Sequence, residues 1–203
     1  MILYIFITCQ KRMKDCHDHI KDMMTKMNYN DYLIVVGGYD VNNYNEFEKI
    51  LKLSSNDFYE GLPEKVVKTY QYIHANTCFN KYTYFCKLDD DMLIKNIIDS
   101  QLLCDYGGVV CNAIGNRKWH IGKCSKTSHF NTKQYEGIYV PWCLGGTGYL
   151  LSRLSIGIIS NANIQYTEEI YEDLAIAKIL FKNNIQPKNI ENWSSFVFSE
   201  DHS

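Results

Sequence analysis

Three short apolar runs, Ile2–Ile7, Tyr32–Val36 and Tyr82–Leu88, constrain this chain more than any other feature. Each is too short to span a membrane, and each is rich in β-branched or aromatic residues, as a strand covered on both faces is. Between the first two, Met13, Cys16, His17, Ile20, Met23, Met24 and Met27 recur at three- and four-residue steps, until Asn28–Asp31 break the pattern. A strand, a helix of that length and a second strand make a parallel βαβ unit. The expected class is therefore α/β, with a mainly parallel central sheet flanked by helices.

The remaining segments extend the same plan. Pro63 suits the first turn of a helix in which Val66, Val67, Tyr70 and Ile73 mark a buried face to about Asn76. The third strand runs straight into Asp89-Asp90-Asp91. A helix is expected over Ile94–Leu103, a short strand over Gly108–Cys111, and a helix over Tyr171–Phe181. Residues 39–62 are polar and irregular. Residues 112–138 carry Trp119, His120 and His129 and predict a hairpin or lid whose histidines either touch an acceptor or do nothing. No repeat or linker divides the 203 residues, so one domain over 1–203 is expected.

Charge and cysteine usage exclude several classes. The formal net charge is −2 and no Lys/Arg run exceeds two residues, so no positive stripe exists to grip nucleic acid or an anionic membrane. The apolar N-terminus lacks a basic flank and a small-residue cleavage site, and reads as a buried first strand rather than a signal peptide. Eight cysteines form no C-x-x-C pair, which disfavours a zinc ribbon and, without a secretory signal, predicts free thiols in the cytoplasm.

The chemistry gathers at strand ends. In an open α/β sheet ligands bind at the carboxyl ends of the parallel strands, and Thr8-Cys9, Gly37-Gly38 and Asp89–Asp91 all fall there. Three adjacent carboxylates repel one another and need compensation, most simply a divalent cation; oxygen ligands suit Mg²⁺ or Mn²⁺ bridging a nucleotide diphosphate. On extended backbone Asp89 and Asp91 share one side. Asp91 is assigned to the metal, Asp89 to the ribose or a metal-bound water, and Asp90 to support or to the donor sugar. A solvated acidic turn is the bland alternative. Gly145-Gly146-Thr147-Gly148 lacks phosphate-loop spacing and implies close backbone approach to a ligand, or an ordinary turn. Glu172-Asp173 opens a helix whose N-terminus favours an ionised carboxylate, either a proton acceptor or a plain dipole complement. His202 either supplies a nitrogen to the metal or is solvated.

Taken in order, four stretches resemble glycosyltransferase family 31, the Fringe and β-1,3-galactosyltransferase group of the GT-A fold. They are Asp57-Phe-Tyr-Glu-Gly-Leu-Pro-Glu-Lys65, Phe85-Cys-Lys-Leu-Asp-Asp-Asp91, Gly145-Gly-Thr-Gly-Tyr149 and Tyr171-Glu-Asp-Leu174. The resemblance implies Mn²⁺ (or Mg²⁺) dependence, a UDP-sugar donor, a glycan or glycoprotein acceptor, and inversion at the anomeric carbon. It also implies Asp173 as catalytic base, with Glu172 in reserve. Asp89, Asp91 and His202 would form the metal site. Thr8, Arg12, Gly38, Lys65, Asp89, Asp90, Gly145 and Gly146 would lie along the donor. Family members are generally luminal and membrane-anchored. This chain instead resembles a minimal cytoplasmic version, as large DNA viruses and bacteria encode, or one module of a longer protein. Two rivals are a sugar-phosphate nucleotidyltransferase, whose glycine-rich loop after the first strand is missing at Thr8–Arg12, and a non-catalytic nucleotide-sugar-binding module.

Overall fold

The computed structural model describes residues 1–162 and 169–199. Its first unit is the expected βαβ: β1 (Ile2–Thr8), α1 (Met13–Lys26) and β2 (Tyr32–Val36), the strands parallel with Thr8 level with Val36. Both strands are buried throughout because the sheet is covered on both faces. Even-numbered β1 residues Ile2, Tyr4 and Phe6 meet Cys16, Ile20 and Met24 of α1, and odd-numbered Leu3, Ile5 and Ile7 face the opposite core.

Beyond β2 the expected irregular stretch adds two strands, β3 (Asn43–Asn45) and β4 (Ile50–Lys52). β4 pairs parallel with β2 and antiparallel with β3. The pair is too short and polar to show a period, and Lys49 makes its turn at φ 57°. α2 (Leu62–Ala75) carries Pro63 in its first turn and buries Val66, Val67, Tyr70 and Ile73 against the far core. It leads to β5 (Tyr84–Asp89), parallel to the other edge of β1 with Ile7 level with Asp89.

The helix expected over Ile94–Leu103 does not form. Met92–Ile94 is a strand, β6, and Ser100–Leu102 a single 3₁₀ turn capped by the Asp99 carboxylate, which accepts from Gln101 N–H at 2.9 Å. Met92 and Ile94 are buried two residues apart, and the partner that makes them a strand comes from the far end of the chain. The expected strand Gly108–Cys111 is split. Tyr106–Gly108 (β7) joins the central sheet, whereas Val110–Cys111 (β8) pairs with Trp142–Cys143 (β9), a hairpin base beneath the intervening segment.

The chain then forms β10 (Tyr149–Ser152), α3 (Arg153–Ser160), α4 (Glu172–Lys182), β11 (Lys188–Asn189) and β12 (Val197–Ser199). The central sheet has the order β11-β7-β10-β5-β1-β2-β4-β3, with β10 antiparallel to β5 and β7. β12 pairs with β6, setting Ser199 opposite Met92 and next to the acidic turn. Among the described residues no helix is long and apolar enough to cross a membrane.

Candidate active site

The order β5-β1-β2 brings the carboxyl ends of three parallel strands side by side. A cavity of about 280 Å³ opens there, lined by Thr8, Cys9 and Arg12 after β1, by Asp57, Phe58 and Lys65 from the approach to α2 and α2 itself, and by Asp89–Asp91. Asp57 organises the neighbouring ends. Its Oδ1 accepts from Gly37 N–H (3.0 Å) and Lys65 Nζ (2.6 Å), and its Oδ2 from Gln10 N–H (2.7 Å). Lys65 is buried and also donates to the Thr8 carbonyl at 2.8 Å. Gly38 turns at φ 79°, where an added Cβ would lie 2.7 Å from the Gln10 amide; it does not line the cavity.

The three acidic residues divide their work. Asp90 turns inward and accepts from Thr8 Oγ1 (2.5 Å), Cys16 Sγ (3.1 Å) and Arg12 Nη1 (2.8 Å). Asp89 and Asp91 are only partly buried. Asp91's carboxyl is pushed up from its ordinary value by burial, then by the charges of Asp89 and Asp90. Such mutual repulsion is what a cation relieves. Mg²⁺ and Mn²⁺ sites commonly use one or two carboxylates, with water and substrate phosphate completing the shell, and this donor set fits that pattern. Among the described residues no group of three or more His, Cys, Asp or Glu is arranged to hold a metal. His202 lies outside the described residues.

Lys87 joins this turn to the second half of the site. It is 1% exposed, donates from Nζ to Asp89 Oδ1 at 2.6 Å, and lies 2.9 Å from Glu172 Oε1 and 3.4 Å from the Gly145 carbonyl. Burial opposes its charge, but Asp89 and Glu172 overcome this and raise its pKa. Glu172 is itself buried, and its Oε2 accepts from Tyr149 Oη at 3.1 Å, with Tyr70 Oη behind that at 3.3 Å. Burial pushes its carboxyl up to about 7 despite Lys87. Glu172 is thus enclosed, whereas the next residue, Asp173, faces a cavity. Asp173 Oδ2 accepts from Gly145 N–H (2.9 Å) and Oδ1 from Leu174 N–H (2.8 Å). Burial raises its pKa, and those two N–H groups partly restrain the rise.

The glycine turn is shaped by these neighbours. A Cβ on Gly145 would stand 2.9 Å from Glu172 Oε1 and 3.1 Å from Asp173 Cβ, so only glycine allows this approach. Gly148, at φ 77°, would place a Cβ 2.5 Å from Leu88. Gly146 would meet nothing within 4 Å and faces the cavity. Trp193 props the turn from below, donating from Nε1 to the Thr147 carbonyl at 2.7 Å.

Asp173 lies in the wall of a cavity of about 410 Å³ whose other walls include Trp119, Tyr139, Trp142 and Tyr171. The segment between β8 and β9 forms much of it. His120, fully buried, fastens that segment: Nε2 lies 3.0 Å from the Lys133 carbonyl and Nδ1 2.8 Å from Tyr171 Oη. The Tyr171 hydroxyl also donates to the Asn116 carbonyl at 2.9 Å, which ties both residues to the same segment. Of the two alternatives for His120, acceptor contact or inertness, neither describes this role. His129 lies outside both cavities described above.

Asp57 and Lys87 stand in the family-like stretches, but neither their roles nor the aromatic cavity was anticipated from the sequence. Lys87 also carried a signal of its own: a lysine in a buried strand, two residues before Asp89 and hence on its side of the sheet. The aromatic walls left none, since their residues come from positions 119, 139, 142 and 171.

The family model described as Galactosyltransferase matches residues 40–191. Among solved structures, a putative glucose-1-phosphate thymidylyltransferase from Bacillus anthracis, in complex with sucrose, is 8% identical, with 98% of this chain and 89% of that one covered at a TM-score of 0.47. No curated protein matches the chain.

Proposed function

The chain belongs to the galactosyltransferase family and is a glycosyltransferase; from that premise we propose that it moves a sugar from a UDP-sugar to a hydroxyl of a glycan or glycoprotein, with inversion. The observation that carries this reading is the Lys87 bridge, which couples Asp89 of the acidic turn to Glu172 beside Asp173. It sets the strand-end cavity and the aromatic cavity on either side of one charged junction.

In this reading the donor lies over the strand ends and the acceptor enters the aromatic cavity. Arg12, half-exposed in the strand-end cavity, is directed by Asp90 toward the donor phosphates. Lys65 and Asp57 hold the floor of that cavity in shape. Asp89 and Asp91, with His202, would hold Mn²⁺ or Mg²⁺, which supplies positive charge against the departing diphosphate when bound. Gly145 lets the turn close on Glu172 and Asp173, and Gly146, with open space beside it, leaves room for the donor sugar at the junction. The acceptor oxygen forms its bond to the anomeric carbon as that carbon's bond to the phosphate oxygen breaks, the electron pair leaving with the diphosphate. The acceptor proton passes to the Asp173 carboxylate. The Gly145 and Leu174 N–H groups favour the ionised form of that carboxylate against the effect of burial, and aim it.

Thermal-shift titration with UDP and UDP-sugars, with and without Mn²⁺, followed by transfer assays on Asp173→Asn and Asp91→Ala, tests the reading. Asp173→Asn is expected to retain UDP binding and lose transfer; Asp91→Ala is expected to lose metal-dependent turnover. Full transfer by Asp173→Asn would remove that residue from the role. UDP binding with neither transfer nor slow hydrolysis of any UDP-sugar would favour a non-catalytic binding module.

A further inference from the structure

The segment between β8 and β9 is closed at its base and exposed along its length. Tyr135 N–H donates to the Arg117 carbonyl at 2.8 Å, and Arg117 Nη1 donates to the Tyr135 carbonyl at 2.7 Å. Inside that closure Asn131 Nδ2 donates to the Ser125 carbonyl (2.7 Å), and its Oδ1 accepts from Gly122 N–H (3.1 Å). Residues 117–135 are therefore a loop held in shape by its own hydrogen bonds, and what it exposes is fixed rather than frayed.

Its charge is one-sided. From Tyr106 through Tyr135 the sequence has no Asp or Glu, but it has Arg117, Lys118, Lys123, Lys126 and Lys133. The whole chain has a formal net charge of −2, so the remainder is negative. On α1, by contrast, Lys14, Lys21 and Lys26 alternate with Asp15, Asp18 and Asp22. The four loop lysines are exposed. Among the described residues none of the five cations forms an ion pair. Glu60, Glu136, Glu169 and Asp173 adjoin the loop, but Lys178 pairs with Glu169 at 2.6 Å, and a positive surplus remains.

The same surface carries large apolar side chains in water: Ile114 (70% exposed), Trp119 (58%), Ile121 (41%) and Ile138 (78%). A Cβ on Gly115 would lie 3.0 Å from the Tyr139 ring, so the neighbouring Ile114 and Ile138 lie close together. Trp119 shares a cavity wall with Gly115 and Tyr139, and Lys123 Nζ lies 3.3 Å from its ring centroid. An apolar patch rimmed by charge marks an interaction surface. Nucleic acid would engage the lysines and leave the isoleucines in water. An anionic bilayer takes both: the isoleucines enter the boundary of headgroups and acyl chains, the tryptophan ring settles at headgroup level, and the ammonium groups meet lipid phosphate and carboxylate.

We propose that the surface formed by residues 114–138 docks this chain on an anionic lipid bilayer, as a peripheral attachment without a membrane-spanning helix. No run of adjacent lysines encodes it; the loop gathers separated lysines by folding. Trp119 also lines the cavity beside Asp173, so docking sets the mouth of that cavity at the lipid surface. The attachment does not depend on the donor or on the transfer chemistry.

The test is co-sedimentation of the full chain with vesicles of phosphatidylcholine alone or mixed with phosphatidylserine, together with tryptophan fluorescence. Trp142 and Trp193 are buried, so a spectral shift on binding reports Trp119. Partitioning onto the phosphatidylserine vesicles is expected to exceed that onto phosphatidylcholine by at least about tenfold, with a blue shift and with loss of binding at high salt. Lys118→Gln with Lys126→Gln is expected to lower partitioning roughly ten- to thirtyfold, each lysine near an anionic surface being worth about a factor of five. The control pair on α1, Lys14→Gln with Lys21→Gln, should leave it unchanged. Trp119→Phe should remove the blue shift and keep most of the sedimentation. Failure to sediment with phosphatidylserine vesicles, equal sedimentation with both vesicle types, sedimentation without a blue shift, or equal losses from the two lysine pairs would overturn the proposal. Binding to polyglutamate without binding to vesicles would also overturn it, assigning the surface to an acidic polypeptide.

Discussion

At the scale of single residues, the site turns on how few side chains connect its halves. Lys87 meets Asp89 and Glu172 within 3 Å, and Glu172 is 4% exposed. Removing one member of a buried ion pair strands its partner, and Lys87→Met is expected to cost about 3 kcal/mol in urea unfolding. Adding Glu172→Gln removes the stranded charge, so the double variant should recover part of that loss; a double variant as unstable as the single one would show that packing, not charge, sets the cost. The glycine turn gives a second contrast. Gly145→Ala drives a methyl group into Glu172 and Asp173 and is expected to destabilise the fold by about 1–3 kcal/mol. Gly146→Ala meets open space and should be neutral or slightly stabilising in the same melts, because it restricts the unfolded chain.

At the scale of elements, the N-terminus of α4 sets the pH behaviour. A helix start favours ionised carboxylates, but for Glu172 and Asp173 burial outweighs it and both pKa values rise. The folded state therefore holds their protons more tightly than the unfolded chain does. That contribution to stability is complete below the unfolded values and is lost as pH rises through the folded ones. For Glu172 the window runs from 4.5 to about 7. With metal removed by chelator, Glu172→Gln is expected to flatten the fall of Tm across that window; an unchanged slope would mean that other groups carry it. In the transfer reaction the same shift acts on the base. Asp173 must be ionised to accept a proton, so kcat/KM should fall on the acid side with a midpoint above the ordinary aspartate value.

At the scale of the whole molecule, ligand binding should stabilise the fold because the site is assembled from the ends of β5, β1 and β2 and exists only when the sheet is formed. A nucleotide at 100 times its Kd adds about 2.7 kcal/mol. We expect UDP with Mn²⁺ to raise Tm more than UDP alone, and Asp91→Ala to abolish that difference while the smaller UDP increment persists. A Tm difference that survives the substitution would place the cation elsewhere.

Much of this architecture was legible in the residues. Ile2–Thr8 and Tyr32–Val36 are apolar on both faces, and the intervening helix repeats at 3.6 residues, so local periodicity alone dictated a parallel βαβ unit and directed attention to the strand ends. The four family-like stretches likewise marked the acidic turn, the glycine turn and Glu172-Asp173 in order. Where a segment owes its form to a distant partner, that guide failed. Met92–Ile94 is a strand only because Val197–Ser199 lies beside it, and Val110–Cys111 leaves the central sheet for Trp142–Cys143. The roles within the acidic triplet, the burial of Lys87 between two carboxylates and the closure of Trp119, Tyr139, Trp142 and Tyr171 around one cavity belong to the same class. Hydrophobic periodicity is a property of neighbours along the chain; which charges meet, and which rings share a wall, depends on residues tens of positions apart, and only the packed structure decides it.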